Sequence, residues 1–96
     1  MKAHSVDSNQ ADIVEALRKA GASVQILSAV GQGCPDLAVA YRGVNHFVEI
    51  KDRAKPPSAR KLTPDQEKWM ANWRGPVYVV DSIAQAFAAI GIKCSG

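Results

Sequence analysis

Three side chains in the middle of the sequence have the types and the spacing to carry out chemistry together. Asp36 opens one β-rich run, and Glu49 and Lys51 end the next. Because side chains alternate between the two faces of a strand, Glu49 and Lys51 project to the same side, roughly 7 Å apart. Antiparallel pairing of the two runs would bring Asp36 close to Glu49 at one end of the sheet. The sequence therefore predicts a site with two acids and one base.

Two carboxylates at such a site indicate a bound divalent cation, because their mutual repulsion has to be offset. An all-oxygen ligand set without His or Cys favours Mg²⁺ or Mn²⁺ over zinc. A metal ion can activate water and stabilise the charge that develops on phosphoryl oxygens, and Lys51 can contact the attacking water or the phosphate. We therefore expect Asp36, Glu49 and Lys51 to catalyse hydrolysis of a phosphodiester.

A basic segment follows the second run. Residues 51–61 contain five cations and one acid, Asp52. Local clustering of this kind is typical of a surface that binds nucleic-acid phosphates, although a solvated loop would carry the same charge. The residues beyond the catalytic lysine that we expect to bind DNA are Arg53, Lys55, Arg60 and Lys61.

The elements that must position these residues follow from the apolar pattern and from the turn residues. The pattern predicts an α/β fold with the order α-β-β-β-α-β-α. Helices are expected over residues 8–20, 63–73 and 83–90, and strands over 22–28, 36–41, 46–51 and 77–80. Residues 42–45 suit a hairpin connection, and 52–62, with two consecutive prolines, are predicted to form an irregular loop.

The start of the second helix has the strongest local signal. Thr63 can cap the helix, Pro64 suits its first turn, and Gln66 stands three residues after the cap, as a capping box requires. Gln66 could serve only this capping role, or it could point back at the predicted site. The sequence leaves both interpretations open.

The amino-acid composition indicates the broad class of protein. The chain has 96 residues, 47% apolar and 22% charged, with a net charge of +3. These values predict one soluble domain over residues 1–96. The absence of an apolar stretch of about 20 residues, or of a signal-like N-terminus, predicts a cytoplasmic protein that does not bind a membrane. Cys34 and Cys94 have no metal or disulfide spacing and are expected to be free thiols, while His4 and His46 are expected to be structural or surface residues.

Three segments together carry a family resemblance: residues 33–37 (GCPDL), 48–51 (VEIK) and 62–66 (LTPDQ). They resemble the VRR-Nuc family, a branch of the PD-(D/E)xK nucleases, and the resemblance extends over about residues 9–80. It implies a restriction-endonuclease-like core with a mixed sheet flanked by helices.

The resemblance also implies roles for individual residues. Asp36, Glu49 and the main-chain carbonyl of Ile50 are expected to hold the metal, Mg²⁺ or Mn²⁺, without an organic cofactor. Lys51 matches the catalytic lysine, and Gln66 matches a glutamine of the family pattern. Many relatives place a glutamate on the first helix as a further ligand, which this chain lacks at the matching position. Candidates to replace it are Asn9, Gln10 and Asp12.

Stand-alone members of the family resemble Holliday junction resolvases, which implies a homodimer that cuts branched DNA in a bacterial or phage-infected cell. The compact size would suit a phage or a mobile element. Trp69 and Trp73, four residues apart, are candidates for the dimer interface, or they pack into the core. A nicking or restriction-type nuclease acting on linear duplex, and a non-catalytic DNA-binding module, remain as alternatives.

Overall fold

The computed structural model describes residues 8–93, which fold into a four-stranded mixed sheet with helices on both faces. The helices are α1 (Ser8–Lys19), α2 (Pro64–Asn72) and α3 (Ile83–Ile90). The strands are β1 (Ser23–Ile26), β2 (Leu37–Tyr41), β3 (Val44–Ile50) and β4 (Val77–Val80). The predicted fold class and the order α-β-β-β-α-β-α are confirmed. His4 and Cys94 lie outside the described residues.

The strands lie in the order β1-β2-β3-β4, so each pairs with its neighbour in sequence. The pairs β1–β2 and β2–β3 are antiparallel, and β3–β4 is parallel. A parallel pair needs a crossover connection, because the chain must return to the same end of the sheet before the next strand can begin. The segment that contains α2 makes this crossover.

One face of the sheet carries the hydrophobic core. The stripe Ile13, Val14 and Leu17 of α1 packs with Ala86 and Ile90 of α3 against this face. Full burial of an aliphatic side chain of this size contributes about 1.5–3 kcal/mol. The sheet residues of the core include Leu37, Val39, Val48, Ile50 and Val80.

Alternation along β3 separates the core from the predicted site. Val48 and Ile50 belong to the core cluster, so the side chains of Phe47 and Glu49 project to the opposite face, on which α2 lies. A one-residue shift of the pairing would exchange these two sets of side chains. Core packing on one face therefore fixes which residues reach the site on the other.

The β2–β3 turn is shorter than the sequence indicated. Arg42 and Gly43 form a two-residue turn with φ values of 51° and 82°, whereas four connecting residues, 42–45, were predicted. Val44 and Asn45 instead pair with Tyr41 and Ala40. The prediction was wrong because this turn is of type I′, which needs positive φ at both positions, and Asn-Gly usually signals such a turn whereas Arg-Gly does not.

The segment after β3 is also more regular than predicted. Residues 52–62 were expected to be an irregular loop, but Pro57–Arg60 form a 3-10 turn in which the main-chain N–H of Ala59 donates to the carbonyl of Pro56 at 2.9 Å. Proline suits the first positions of such a turn because its φ is already fixed near the helical value. Within residues 8–93, no helix is long and apolar enough to cross a membrane.

Candidate active site

The carboxylate of Asp36 is held by the main chain of β3. Extending the β2–β3 register by one residue places Asp36 opposite Glu49. The main-chain N–H of Ile50 donates to Asp36 Oδ2 at 2.8 Å. A side chain thus replaces the main-chain acceptor that would continue the strand pairing. This bond fixes the Asp36 carboxylate at the end of β3, beside Glu49.

The main-chain carbonyl of Ile50 has an unusual neighbour on β2. One further step in the register places Pro35 opposite Ile50, and Pro35 is fully buried. In antiparallel pairing the residue opposite would donate its N–H to this carbonyl, but proline has no N–H. The usual ladder bond to the Ile50 carbonyl therefore cannot form, which suits this oxygen to binding a cation.

Glu49 is buried, with 4% of its surface exposed. Its Oε2 accepts a hydrogen bond from Gln66 Nε2 at 2.8 Å and lies 3.5 Å from Lys51 Nζ. Its Oε1 is buried and has no hydrogen-bond partner among the described residues. Burial, and then the charge of Asp36, raise the pKa of Glu49 from 4.5 to about 7, against the opposing effect of Lys51. The carboxyl group therefore lacks a positive partner that would fully stabilise its charge.

Hydrogen bonds hold both the main chain and the side chain of Lys51. Its main-chain N–H donates to the carbonyl of Val80 at 2.9 Å, so β4 fixes the backbone. Its Nζ donates to Gln66 Oε1 at 2.8 Å, and the side chain is only 14% exposed. The ammonium is thus held next to Glu49, as the alternation along the strand predicted.

Gln66 joins the site to the start of α2. Its Oε1 accepts hydrogen bonds from the main-chain N–H of Thr63 at 2.9 Å and from Lys51 Nζ at 2.8 Å, while its Nε2 donates to Glu49. The Thr63 side chain in turn accepts from the main-chain N–H of Gln66, which completes the capping box. The Gln66 side chain therefore points back at the predicted site as well as capping the helix, so the interpretation that it serves only the capping role is wrong.

Gly33 brings the loop before Asp36 against the first turn of α2. Its φ is +83°, and a Cβ at this position would lie 2.5 Å from the main-chain carbon of Asp65 and 2.9 Å from the main-chain nitrogen of Gln66. Any side chain would therefore push the loop and the helix apart. The close approach fixes the position of Asp36 relative to Gln66.

The four site groups line one cavity of about 270 Å³, which we call the carboxylate cavity. It is defined by Asp36, Glu49, the main chain of Ile50, and Lys51. Of the residues predicted to bind DNA, Lys55 lines the same cavity. The structure thus brings together the acids and the base that the sequence singled out.

The α1 candidates divide into two groups. Gln10 is 6% exposed, lines the carboxylate cavity and donates to Ser28 Oγ at 3.2 Å. Asn9 Nδ2 contacts the main-chain oxygen of Lys51 at 3.4 Å, and its Oδ1 is buried without a hydrogen-bond partner among the described residues. Asp12 is exposed and is not among the lining residues. The two amide candidates of α1, rather than Asp12, therefore approach the site.

Sequence reasoning missed three residues near the cavity. Asp52, considered only as the single acid of the basic segment, lines the carboxylate cavity, and its position directly after Lys51 was a signal for this. Ser28, which follows β1, also lines the cavity and hydrogen-bonds Gln10 of α1, and no local pattern reveals this placement. Cys34 lies close enough that burial, then Glu49 and Asp36, raise the pKa of its thiol.

The remaining basic residues have different environments. Arg53 Nη2 forms an ion pair with Asp81 Oδ1 at 2.6 Å, which ties the segment after β3 to the β4–α3 junction. Arg60 is partly buried and Lys61 is exposed, and both line a second cavity next to Lys51. The predicted DNA-binding residues therefore fall into three environments: Lys55 lines the carboxylate cavity, Arg60 and Lys61 line the second cavity, and Arg53 is ion-paired with Asp81.

The two tryptophans pack on the same face as the site. Trp69 and Trp73 stack with ring centroids 4.7 Å apart, and both meet Phe47 of β3 edge-on, at 5.4 and 4.8 Å. Trp73 remains 44% exposed. The pair therefore holds α2 on the sheet outside the main core, while part of Trp73 faces solvent.

The donor set fits a hard divalent cation. Within residues 8–93, no group of three or more His, Cys, Asp or Glu side chains is placed to bind a metal, so Asp52, which also lines the cavity, does not form such a group with Asp36 and Glu49. The two predicted acids and the Ile50 carbonyl are three oxygen-bearing groups, and Glu49 Oε1 is buried without a hydrogen-bond partner among the described residues. Mg²⁺ commonly binds through one or two carboxylates and keeps several waters, which this set permits.

A mixed sheet that presents Asp36, Glu49 and Lys51 at one end of a β-hairpin defines the PD-(D/E)xK class of nucleases. No protein-family model and no curated protein sequence matches the chain. A solved structure described as "VRR_NUC domain" is similar, with a TM-score of 0.63 and 34% sequence identity, covering 85% of this chain and 89% of that one. The chain belongs to the VRR-Nuc family.

Proposed function

We propose that this protein is a metal-dependent endonuclease that hydrolyses DNA phosphodiester bonds. The observation that carries the proposal is the convergence of Asp36, Glu49 and Lys51 on one cavity, with Gln66 hydrogen-bonded to both the acid and the base. Family membership supports the same reaction class.

Each group of the site has a defined task in this reaction. Asp36, Glu49 and the Ile50 carbonyl would hold Mg²⁺ or Mn²⁺, which when bound supplies Lewis acidity and lowers the pKa of water. Lys51 donates hydrogen bonds to the attacking water or to the phosphoryl oxygens, where negative charge grows. Gln66 keeps the Lys51 ammonium and the Glu49 carboxylate in a fixed mutual orientation, so neither has to reorganise during the reaction.

The substrate we propose is branched DNA, in particular a four-way junction, cut by a homodimer. A two-fold dimer would present two sites and twice the basic surface to a substrate with matching symmetry. The exposed part of Trp73 offers an aromatic surface for the dimer contact, because aromatic side chains are enriched in the cores of interfaces.

Cleavage of three labelled substrates tests the reaction and its selectivity. A four-way junction, a flap and a linear duplex are incubated with the protein in Mg²⁺, in Mn²⁺ and in EDTA. We expect cleavage of the junction in either metal and none in EDTA. Equal cutting of all three substrates would instead support a nicking or restriction-type nuclease acting on ordinary duplex.

Two variants separate the enzyme from a non-catalytic DNA-binding module. Asp36→Ala and Lys51→Ala should abolish cleavage, while the junction affinity measured in EDTA changes less than threefold because the residues expected to bind DNA, Arg53, Lys55, Arg60 and Lys61, are retained. A wild-type protein that binds DNA with strong salt dependence but cuts no substrate in either metal would establish the binding module.

The dimer is tested by sedimentation equilibrium of the wild type and of Trp73→Gln. We expect a dimer for the wild type and a shift towards monomer for the variant, with Arg74→Gln, one residue further along, as an exposed control. A wild-type monomer that still cuts both strands of a junction would refute the dimeric mechanism.

A further inference from the structure

A second cavity lies beside the carboxylate cavity, between the 3-10 turn after β3 and the β4–α3 junction. Its volume is about 260 Å³, and it is lined by Lys51, Pro57, Arg60, Lys61, Asp81 and Gln85 together with the end of β4. We call it the cationic cavity. Lys51 lines both cavities and therefore stands between them.

The polar groups of the cationic cavity are mainly donors. Arg60 and Lys61 contribute two positive charges, and Lys51, which is also ion-paired with Glu49 at 3.5 Å, adds a third, against the single acid Asp81. That acid is already paired, because its Oδ1 lies 2.6 Å from Arg53 Nη2. The electrostatic balance inside the cavity therefore favours an anion.

Gln85, a neutral side chain of the cationic cavity, also presents a hydrogen-bond donor. Gln85 Oε1 accepts a hydrogen bond from the main-chain N–H of Asp81 at 2.7 Å. Its acceptor end is thus engaged near the start of α3, and the end that remains to meet a ligand is the Nε2 donor.

Arg60 supplies the observation that points to a missing partner. Its Nε is buried and has no hydrogen-bond partner among the described residues. A buried, unsatisfied donor costs about 1–3 kcal/mol unless a ligand or a water meets it. The guanidinium fork matches phosphate geometry closely, with two parallel N–H donors.

We propose that the cationic cavity binds the DNA backbone phosphate adjacent to the scissile one, with Arg60 as its main ligand. This inference rests on the proposed nuclease function and deepens it. Lys51 lies between the two cavities and serves the scissile phosphate on one side, while Arg60, Lys61 and Gln85 bind the neighbouring phosphate on the other. The subsite would set the register of the strand across the cavity that contains Asp36 and Glu49.

The test combines a protein variant with removal of a single phosphate charge. Methylphosphonate linkages, which are neutral, are placed one at a time on either side of the cleavage position of a labelled junction. For the wild type, one adjacent position should lower kcat/KM by about tenfold, as expected for loss of one charge-assisted hydrogen bond. In Arg60→Ala the same modification should have less than a twofold further effect.

Two control proteins make the result specific. Arg60→Lys keeps the charge without the planar fork and should retain part of the sensitivity to the modification. Arg42→Asn removes an arginine at the opposite end of the β-hairpin, where Asn tolerates the positive φ, and should respond as the wild type does.

The DNA affinity of the same proteins for the same modified and unmodified junctions is also measured in EDTA. Because no cleavage occurs there, this measurement tests the phosphate subsite separately from the reaction. If the methylphosphonate lowers cleavage equally in the wild type and in Arg60→Ala, the subsite is refuted and the proposed nuclease function stands. If no junction is cut, but the methylphosphonate weakens DNA binding by the wild type more than by Arg60→Ala, the nuclease function is refuted and the phosphate subsite stands.

Discussion

The two ends of the β2–β3 hairpin are built from the same pair of strands but differ in what their main chains do. At the Arg42–Gly43 end, the pairing continues up to the turn, with Tyr41 opposite Val44. At the other end, Pro35 cannot donate and the N–H of Ile50 binds the Asp36 side chain instead of a main-chain carbonyl. We call this end of the hairpin, where the Asp36 side chain takes one ladder bond and Pro35 cannot make another, the reactive end.

The largest effect should come from a charge change at the reactive end. Glu49→Gln keeps the shape of the side chain but removes one of the two carboxylate charges, and we expect single-turnover cleavage to fall more than a hundredfold. Glu67→Gln, the same change at an exposed position of α2, serves as the control and should cut normally. A loss of less than tenfold for Glu49→Gln would remove Glu49 from the metal site.

The same residue should make the metal-free protein less stable as the pH rises. Because the pKa of Glu49 is raised from 4.5 to about 7, the folded protein binds more protons than the unfolded chain between these values. The free energy of unfolding should therefore decrease from pH 4.5 to 7, by roughly 3 kcal/mol at most. Glu49→Gln should lack this decrease in urea denaturation in EDTA, and parallel profiles for the two proteins would contradict the raised pKa.

A smaller effect is expected from the amide that connects the reactive end to α2. Gln66→Glu retains an acceptor for Thr63 and Lys51 but replaces the donor to Glu49 by a repelling oxygen. We expect a ten- to hundredfold loss of kcat, in the range that slight misplacement of reacting groups produces. Since the repulsion disappears when a carboxyl group is protonated, the kcat deficit should shrink at lower pH. A kcat deficit of Gln66→Glu that does not change with pH would contradict this charge repulsion.

The smallest effect is expected from alanine substitutions at two glycines that have nearly the same backbone conformation. Gly33 and Gly43 have φ values of +83° and +82°, so an alanine is equally strained at either position. At Gly43 the Cβ meets nothing within 4 Å, whereas at Gly33 it meets the backbone of Asp65 and Gln66. Gly43→Ala should cost about 1 kcal/mol of stability with normal cleavage per folded molecule. Gly33→Ala should cost more stability and also lower cleavage several-fold. Equal stability and equal cleavage of the two variants would contradict a role of the Gly33 loop in positioning the site.

The sequence was sufficient where local chemistry decides the structure. Alternation along β3 placed Glu49 and Lys51 on one face, and the capping pattern at Thr63 located the start of α2. These features depend on residues that lie within a few positions of each other, so their periodicity and spacing carry the information.

The parts that the sequence did not predict depend on contacts between distant segments. The ion pair of Arg53 with Asp81 spans 28 positions, and the approach of Gly33 to the start of α2 spans more than 30. The Arg42–Gly43 turn is local, but its positive φ at an arginine follows from the pairing of the strands rather than from the preference of the residue. Only the assembled sheet determines these features.

The capping box of α2 couples local opening at the start of the helix to opening of the site. The main-chain N–H of Thr63 donates to the same Gln66 Oε1 that accepts from Lys51 Nζ, so a movement of the Gln66 side chain that exposes this N–H to solvent also releases Lys51 and Glu49. Hydrogen-exchange protection of the Thr63 amide should therefore report the fraction of molecules in which Gln66 contacts Lys51 and Glu49. A ligand that tightens the site should slow this exchange, even where no change in the average structure can be detected.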